Sequence, residues 1–302
     1  MAEWCAMPAT SAPAPLLVVD TPSLLYRAFF ALPSSIKDQH GRPVNALLGC
    51  ANLVLQAVDT YGPRAVVLCN GAEAATYRTA AFPGYHAARE PMPEKLLWQW
   101  EVAPAFFGAF GWEHAVTDDL EADDLLGSFA AAETAAGGTS LLFTGDRDMF
   151  QCVSGSVRVL YPGAKGGPTV VDEAEVRRRY GIEPSQVPDF IALRGDPSDG
   201  LPGAKGIGEK TAATLLAEYS SLEALLQVAA DDSDLSGPLK SRARGALRDQ
   251  ADELRAFRHI ATLQPIAVAR PADRPTDWER AACAARAHGM QRLAVRLAAA
   301  AG

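Results

Sequence analysis

Short apolar runs alternate with longer amphipathic segments over the first 180 residues. The runs are LLVV (16–19), AVVLC (65–69), SLLF (140–143) and VRVL (157–160), bounded by Pro, Gly or Asp. Runs of this length between helical patterns predict buried parallel strands joined by crossover helices, and therefore an α/β fold. Ligands of such sheets bind beyond the carboxyl ends of the strands, so the residues that follow the runs are candidates for a site.

After residue 180 the pattern changes to helices interrupted by Gly and Pro. The segment GLPGAKGIGEKTAATLLAEY (200–219) leads from a Gly-rich turn into an Ala/Leu helix. We predict a disordered leader at 1–14, an α/β core at 15–180, a helical region at 181–268 and an Ala-rich tail at 269–302 that forms one more helix.

Composition excludes several classes of protein. The 48% hydrophobic content is enough for a sizeable core, and the five cysteines are scattered without C-x-x-C spacing, which argues against disulfides and zinc sites. No apolar run reaches the ~20 residues of a membrane span, and the start MAEWCAMPATSAPAP has no signal-peptide pattern. We expect a cytoplasmic protein without a membrane partner.

Three acidic clusters lie at the ends of predicted elements: EADD (121–124), GDRD (145–148) and GDPSDG (195–200), with Asp20 directly after LLVV. Carboxylates without His or Cys suit Mg²⁺ or Mn²⁺, and two such ions about 4 Å apart are a common device for phosphodiester hydrolysis. Each cluster alone also fits a local role, as a helix first turn or an ordinary turn. The three clusters together with Asp20 favour a metal site.

The net charge of −8 does not exclude nucleic acid. Eight candidate metal ligands account for it, because −8 + 8 = 0. They are Asp20, Glu121, Asp123, Asp124, Asp146, Asp148, Asp196 and Asp199.

The segment GLPGAKGIGEKTA (200–212) has the form of a phosphate cradle, with glycines before a helix and two nearby lysines. It lacks P-loop spacing and follows no predicted strand, so a nucleotide-binding interpretation fails. The turn suits backbone phosphates of a duplex, and the alternative is a plain helix–turn–helix connection. The candidate DNA-binding residues here are Gly203, Lys205, Gly206, Gly208, Lys210 and Thr211.

The segment TYRTAAFPGYHAARE (76–90) interleaves aromatic and basic residues. Aromatics with cations can stack on bases and hold phosphates, which makes Tyr77 and Arg78 further DNA-binding candidates. The alternative is a helix that packs Tyr77, Phe82 and Tyr85 on the core.

The segments VVDTPSLLYRAFFALP, EADDLLGSFA, TGDRDMFQCV and ALRGDPSDGLPGAKGIGEKTAATLL, with their spacing, resemble the flap endonuclease and 5′-3′ exonuclease family. The resemblance covers about residues 15–268 and is strongest to the 5′-nuclease domain of bacterial DNA polymerase I and its stand-alone relatives. It implies a PIN-like parallel-sheet nuclease core with a helical arch at about 78–100. It also implies a helix–three-turn–helix region at 181–268 that binds duplex DNA.

The resemblance also implies roles for individual residues. A first divalent ion falls to Asp20, Glu121 and Asp123, and a second to Asp146, Asp148 and Asp199, with Asp124 and Asp196 in outer positions. Catalytic roles fall to Arg89, His86 and Arg27. A monovalent cation, K⁺, is implied on the carbonyls of the GAKGIGEK turn.

Two positions depart from the family pattern. Gly71 stands where the family has an aspartate of the first metal site, with Asn70 just before it, and His86 replaces the lysine of a YK pair. One hypothesis is therefore a 5′ nuclease in DNA replication or repair whose first site uses Asn70, Glu73 or water instead. The other is a structure-specific DNA-binding protein with impaired catalysis. Expected substrates are DNA with a 5′ flap, nick or 5′ end, including RNA-primed ends, and no docking motif for a protein partner is recognisable.

Overall fold

We describe the protein from a computed structural model that covers residues 13–163, 167–231 and 238–302. The leader predicted at 1–14 lies outside these residues except for its last two positions. Across the described part of the chain, no helix is both long and apolar enough to cross a membrane.

Six strands within the described residues form one sheet in the order β3-β2-β1-β4-β5-β6. They are β1 (Leu16–Asp20), β2 (Ala65–Asn70), β3 (Glu113–Val116), β4 (Ser140–Phe143), β5 (Val157–Tyr161) and β6 (Thr169–Val171). The first five run parallel, and β6 pairs antiparallel with β5. The predicted fold class and the four predicted strands are confirmed. The apolar pattern does not predict β3 and β6, because β3 has no buried residue and β6 has three residues with one buried.

Helices connect and cover the strands. They are α1 (Thr21–Ala31), α2 (Asn45–Tyr61), α3 (Thr76–Ala81), α4 (Glu94–Gly108), α5 (Ala122–Ala135), α6 (Glu173–Tyr180), α7 (Val187–Arg194), α8 (Glu209–Tyr219), α9 (Leu222–Ala230), α10 (Ser241–Asp249), α11 (Ala251–Ala261), α12 (Trp278–Ala287) and α13 (Gln291–Ala300). The segment predicted as an arch, 78–100, holds the end of α3, a turn and the start of α4.

Two apolar cores lie on the two faces of the sheet, because successive side chains of a strand point to opposite faces. Leu16 and Val18 of β1 belong to a core shared with α5 and with the helices α7 to α11. Leu17 and Val19 belong to the other core, with α1, α2, α4 and both tail helices. The helical second region and the tail therefore each cover one face. The domain boundaries at 180 and 268 stay predictions.

The tail forms two helices, so the expectation of one helix is wrong. Gly289 lies between α12 and α13 with φ +71, a left-handed conformation that ends helices readily. The turn lets Ala285 and Leu293 both reach the core.

The sheet order places β1 between β2 and β4. After β1 the chain adds β2 and β3 on one side of it, and β4 to β6 follow on the other side. At such a switch in strand order, a crevice opens beyond the carboxyl ends of the strands. The ends of β1, β2 and β4 therefore position the candidate site.

Candidate active site

A cleft of about 710 Å³ opens above the carboxyl ends of these strands. Seven of the eight predicted metal ligands line it: Asp20, Glu121, Asp123, Asp146, Asp148, Asp196 and Asp199. Three separate sequence clusters and β1 thus meet in one place, and the cleft has the size of a ligand site.

Local backbone structure holds Asp20 at the cleft. It ends β1 and caps α1, where its Oδ1 accepts a hydrogen bond from the Ser23 amide at 3.0 Å. The Thr144 hydroxyl, directly after β4, donates to its Oδ2 at 2.6 Å. Burial raises the pKa of the Asp20 carboxyl.

The other carboxylates of the cleft repel one another. Burial is the main cause of the raised pKa values of Asp123, Asp146 and Asp148, and neighbouring carboxylates raise them further. The pKa of Asp146 rises to about 7, with Asp199 as its strongest acidic neighbour. Bound cations would relieve this repulsion.

The donor set fits a divalent ion by its chemistry, since it consists of carboxylate oxygens. The spacing is less favourable: among the described residues, no three acidic, His or Cys side chains are grouped closely enough to hold an ion as they stand. Holding an ion therefore requires side-chain rotation in the cleft.

Glu121 and Asp124 are engaged by protein donors. They form a capping box at the start of α5, in which Asp124 Oδ2 accepts from the Glu121 amide at 3.1 Å. Arg78 bridges the pair, with Nη1 2.6 Å from Glu121 Oε2 and Nη2 3.1 Å from Asp124 Oδ1. Asp124 is fully buried and is not part of the cleft wall, so it cannot contact an ion in the cleft directly, and only an outer position is open to it.

Arg78 reaches the cleft wall but is engaged by protein acceptors, and Tyr77 is not part of the cleft wall. Arg78 is only 3% exposed, and its Nε donates to the Ile260 carbonyl at 3.1 Å. The Tyr77 ring packs edge-on against His259, and its hydroxyl is buried. The structure thus corrects the DNA-binding assignment of both residues, because the α3 helix turns them toward the core and α11.

Asn70 also points away from the cleft. Its amide nitrogen lies 2.8 Å from the His114 ring on β3. Asn70 is not part of the cleft wall, whereas Glu73 is. Of the two side chains considered as replacements for the missing carboxylate, only Glu73 faces the site.

Gly71 has no room for a side chain. A Cβ at this position would lie 2.5 Å from the carbonyl carbon of Glu121 and 2.6 Å from the amide of Ala122. The Ala72 amide also donates to the Leu120 carbonyl at 2.9 Å, which holds this loop against the start of α5. Backbone atoms of Glu121 and Ala122 therefore fill the space that an aspartate side chain at position 71 would need.

Replacing Gly71 by Asp is expected to lower stability without raising nuclease activity. A backbone clash of this kind forces the start of α5 to shift, at a cost of about 2 kcal/mol or more. Thermal unfolding and cleavage assays on Gly71→Asp and Gly71→Ala check this. Gly245→Ala is the control, since its Cβ would meet nothing within 4 Å in α10; a more active and equally stable Gly71→Asp would contradict the account.

His86 is fixed between two loops. Its Nε2 lies 3.1 Å from Asp199 Oδ1 and its Nδ1 3.0 Å from the Glu73 carbonyl, while its ring stacks on Tyr85. Both partners are acceptors, so both ring nitrogens donate only in the protonated ring. The side chain is 6% exposed, and this contact orients Asp199.

The other two catalytic candidates differ in position. Arg89 lines the cleft, and its Nη1 donates to the Glu73 carbonyl at 3.4 Å. Arg27 donates to the Gly163 carbonyl at 3.2 Å and is not part of the cleft wall. The assignment of Arg27 to catalysis is therefore not supported.

The cleft contains cations that the sequence patterns do not single out. Arg147 and Arg194 line it, and Arg194 Nη2 donates to Asp196 Oδ2 at 3.2 Å. Their signal in the sequence is weak, because Arg147 lies inside GDRD and Arg194 directly before GDPSDG.

The Gly-rich turn presents part of the predicted phosphate cradle. Lys205, Gly206, Gly208, Lys210 and Thr211 are exposed at the start of α8. Within the described residues, the amides of Gly206 and Gly208 donate to no protein acceptor. The Lys205 amide instead donates to Gln250 Oε1 at 2.7 Å.

Gly203 does not belong to this surface. It is buried, and a Cβ there would clash with the backbone amide of Gly195. The position needs glycine because the turn packs against the end of α7, so its DNA-binding assignment is corrected to a packing role.

Two family models cover most of the chain. Residues 15–181 match the 5′-3′ exonuclease N-terminal resolvase-like domain, and residues 182–276 match the 5′-3′ exonuclease C-terminal SAM fold. The chain belongs to the 5′-3′ exonuclease family.

Relatives of this 5′-3′ exonuclease family member include stand-alone proteins and polymerase domains. A 5′-3′ exonuclease of Streptomyces coelicolor is 41% identical over 72% of this chain and 75% of its own length. A 5′-3′ exonuclease of Mycobacterium tuberculosis is 35% identical over 94% of this chain and 96% of its own length. DNA polymerase I of Mycobacterium bovis is 39% identical over 70% of this chain, which spans 24% of the polymerase.

Solved structures share the fold of this family member. The phage T5 5′-exonuclease with bound zinc has a TM-score of 0.68 at 14% identity, covering 95% of this chain and 100% of that protein. The catalytic core of Rad2 in complex with DNA substrate has a TM-score of 0.58 at 13% identity, covering 94% and 92%.

Proposed function

We propose that this protein is a structure-specific 5′ nuclease that hydrolyses DNA phosphodiesters at 5′ ends, nicks or flaps, including RNA-primed ends, in DNA replication or repair. The observation that carries the proposal is the convergence of Asp20, Asp123, Asp146, Asp148 and Asp199 in one cleft of a 5′-3′ exonuclease family member.

The acidic cleft would hold Mg²⁺ or Mn²⁺. When bound, such an ion supplies a water molecule of lowered pKa and neutralises charge on the reacting phosphate. Asp146 and Asp148 of the loop after β4, with Asp199 and Asp123, are the residues that would hold it. Asp20 completes the negative floor of the cleft.

The basic residues of the cleft would position the substrate. Arg89 and Arg147 both line the wall and carry permanent charge for phosphate oxygens. His86 acts through its contact with Asp199, which it orients. The exposed turn at 205–211 would hold duplex phosphates at a distance from the cleft, with K⁺ on its carbonyls.

A second candidate function is DNA binding with impaired catalysis. Two observations favour it: the backbone occupies the place of the missing carboxylate at Gly71, and His86 is tied to Asp199. The cleft nevertheless keeps its negative charge, which would repel DNA in a protein that only binds.

A cleavage assay separates the two functions. Wild-type protein and Asp199→Asn are incubated with labelled 5′-flap, nicked and blunt duplexes in Mg²⁺, Mn²⁺ or EDTA. Metal-dependent product from the flap that Asp199→Asn abolishes supports the nuclease. Tight flap binding without any such product supports the binding protein.

Duplex binding is expected to weaken steeply with salt. The logarithm of affinity should fall linearly with the logarithm of salt concentration, and Lys205→Ala or Lys210→Ala should each reduce the slope by about 1. Arg158→Ala on β5 is the control, because this exposed arginine lies in the sheet, apart from the turn. Salt-independent affinity, or slopes unchanged in both lysine variants, would rule out the cradle.

A further inference from the structure

The carboxylates in and directly behind the cleft fall into two classes by their hydrogen bonds. The Glu121 carboxylate accepts hydrogen bonds from the Ala75 amide at 2.8 Å and the Tyr85 hydroxyl at 3.0 Å. It also forms a salt bridge with Arg78 at 2.6 Å. The Asp124 carboxylate accepts hydrogen bonds from the Gln264 amide at 2.7 Å, from Arg78 and from the Glu121 amide. Both groups are therefore satisfied by the protein itself.

The second class has free oxygens. Within the described residues, no protein donor reaches the side-chain oxygens of Asp123 and Asp148. Asp146 accepts the Asp148 amide on Oδ1 at 2.8 Å, and Asp199 contacts His86 through Oδ1, so that each keeps Oδ2 free. These four side chains offer ligands that a divalent ion can take without displacing a hydrogen bond.

Arg78 is held too firmly to give up Glu121 and Asp124. Its three guanidinium nitrogens each contact an acceptor, on Ile260, Glu121 and Asp124. The residue is 3% exposed. Removing a buried cation from two buried carboxylates would leave uncompensated charge, which is strongly unfavourable.

The first metal site of the family pattern also lacks the aspartate that would stand at Gly71. Gly71 supplies no side-chain oxygen, and its backbone contact with Glu121 and Ala122 leaves no room for one. Among the described residues near Gly71, Asp20 and Glu73 line the cleft without a salt bridge to Arg78. Both Asp20 oxygens already accept hydrogen bonds, which leaves the exposed Glu73 as the free carboxylate there.

We propose that Arg78 takes the place of one divalent ion, so that the DNA-free protein binds a single ion at Asp123, Asp146, Asp148 and Asp199. The proposal rests on the proposed metal-dependent function of this cleft. Glu121 and Asp124 serve as the counter-charges of Arg78, and the two-ion arrangement implied by the family resemblance is reduced to one ion in this chain.

Ion counting tests this directly. Free Mn²⁺ is measured by electron paramagnetic resonance while the DNA-free protein is titrated, and the number of bound ions per chain is read from the plateau. We expect one ion for the wild type. Two ions of similar affinity would overturn the proposal.

Two charge-matched variants locate the ion. Asp146→Asn is expected to weaken Mn²⁺ binding by at least about 10-fold, the size of effect that even indirect metal partners show. Glu121→Gln removes the same charge and should change the affinity much less. If Glu121→Gln weakens binding as much as Asp146→Asn, Glu121 is a ligand and the proposal is wrong.

Arg78→Ala tests the role of the arginine. Glu121 and Asp124 then lack a counter-charge, and we expect a second Mn²⁺ to bind. An unchanged count of one in the folded variant would show that Arg78 does not replace an ion; if this variant does not fold, the wild-type count and Glu121→Gln decide. A single bound ion without any flap cleavage would contradict the proposed nuclease function but would still support one ion per chain.

Discussion

Asp146→Asn is expected to stabilise the metal-free protein while removing its nuclease activity. The raised pKa of Asp146, about 7, reflects burial and repulsion by Asp199 and other carboxylates. Neutralising the group removes this repulsion, and we expect a gain of about 1 kcal/mol or more in the free energy of unfolding in EDTA. Cleavage should fall by about 10³-fold or more, since the metal site loses a ligand.

The same repulsion makes wild-type stability depend on pH. The folded protein keeps a proton on Asp146 at pH values where the unfolded chain, with an ordinary pKa of 3.8, has released it. The free energy of unfolding in EDTA therefore falls as pH rises from about 4 to about 7. Mg²⁺ at higher pH should restore stability, because it binds the folded state alone.

Denaturant unfolding at several pH values, with EDTA or Mg²⁺, measures both effects. Asp59→Asn, an exposed residue of α2, is the control for removing one negative charge. A lower stability of Asp146→Asn than of the wild type in EDTA, or an equal response of both variants, would contradict repulsion at Asp146.

Glu133→Gln is expected to destabilise the protein by about 3–5 kcal/mol, because it breaks a buried ion cluster. The Glu133 side chain is 1% exposed and pairs with Arg64 and with Arg270, whose Nε lies 3.0 Å away. Arg64 also donates to the Pro271 carbonyl at 2.7 Å and lies 2.8 Å from Asp273. The cluster thus fastens the segment between α11 and α12 to the sheet domain.

Chemical denaturation at neutral pH measures this loss. The matched control is Glu223→Gln, which removes the ion pair with Arg255 between side chains that are 41% and 46% exposed. Such an exposed pair contributes at most about 1 kcal/mol. A similar small loss for Glu133→Gln would show that the buried cluster does not stabilise the fold.

The sequence predicts those parts of the fold that depend on local pattern. Buried strands such as β1 and β4 appear as uninterrupted apolar runs, and the acids that follow them mark the cleft because parallel strands end at one edge. The half-exposed β3 leaves no such pattern. The division of the tail into two helices is equally hard to predict, since a single glycine, Gly289, separates them.

Residue roles that depend on distant contacts could not be predicted in this way. Arg78 is a basic residue beside aromatic residues, a pattern that indicates DNA binding. In the structure it instead donates to the Ile260 carbonyl, 182 positions away. Gly71 reads as a lost ligand, and only the structure shows that the backbone of Glu121 fills its place. Local pattern identifies which residues carry chemistry, and tertiary packing decides what they contact.

Cleavage of a labelled 5′-flap duplex is the most direct test of the nuclease assignment. With enzyme in excess over substrate, we expect product from the wild type in Mg²⁺ or Mn²⁺. We expect none in EDTA, and a cleavage rate lower by about 10³-fold or more from Asp146→Asn in either metal. Product in EDTA, cleavage by Asp146→Asn at the wild-type rate, or complete absence of product from the wild type would contradict a metal-dependent 5′ nuclease in this cleft.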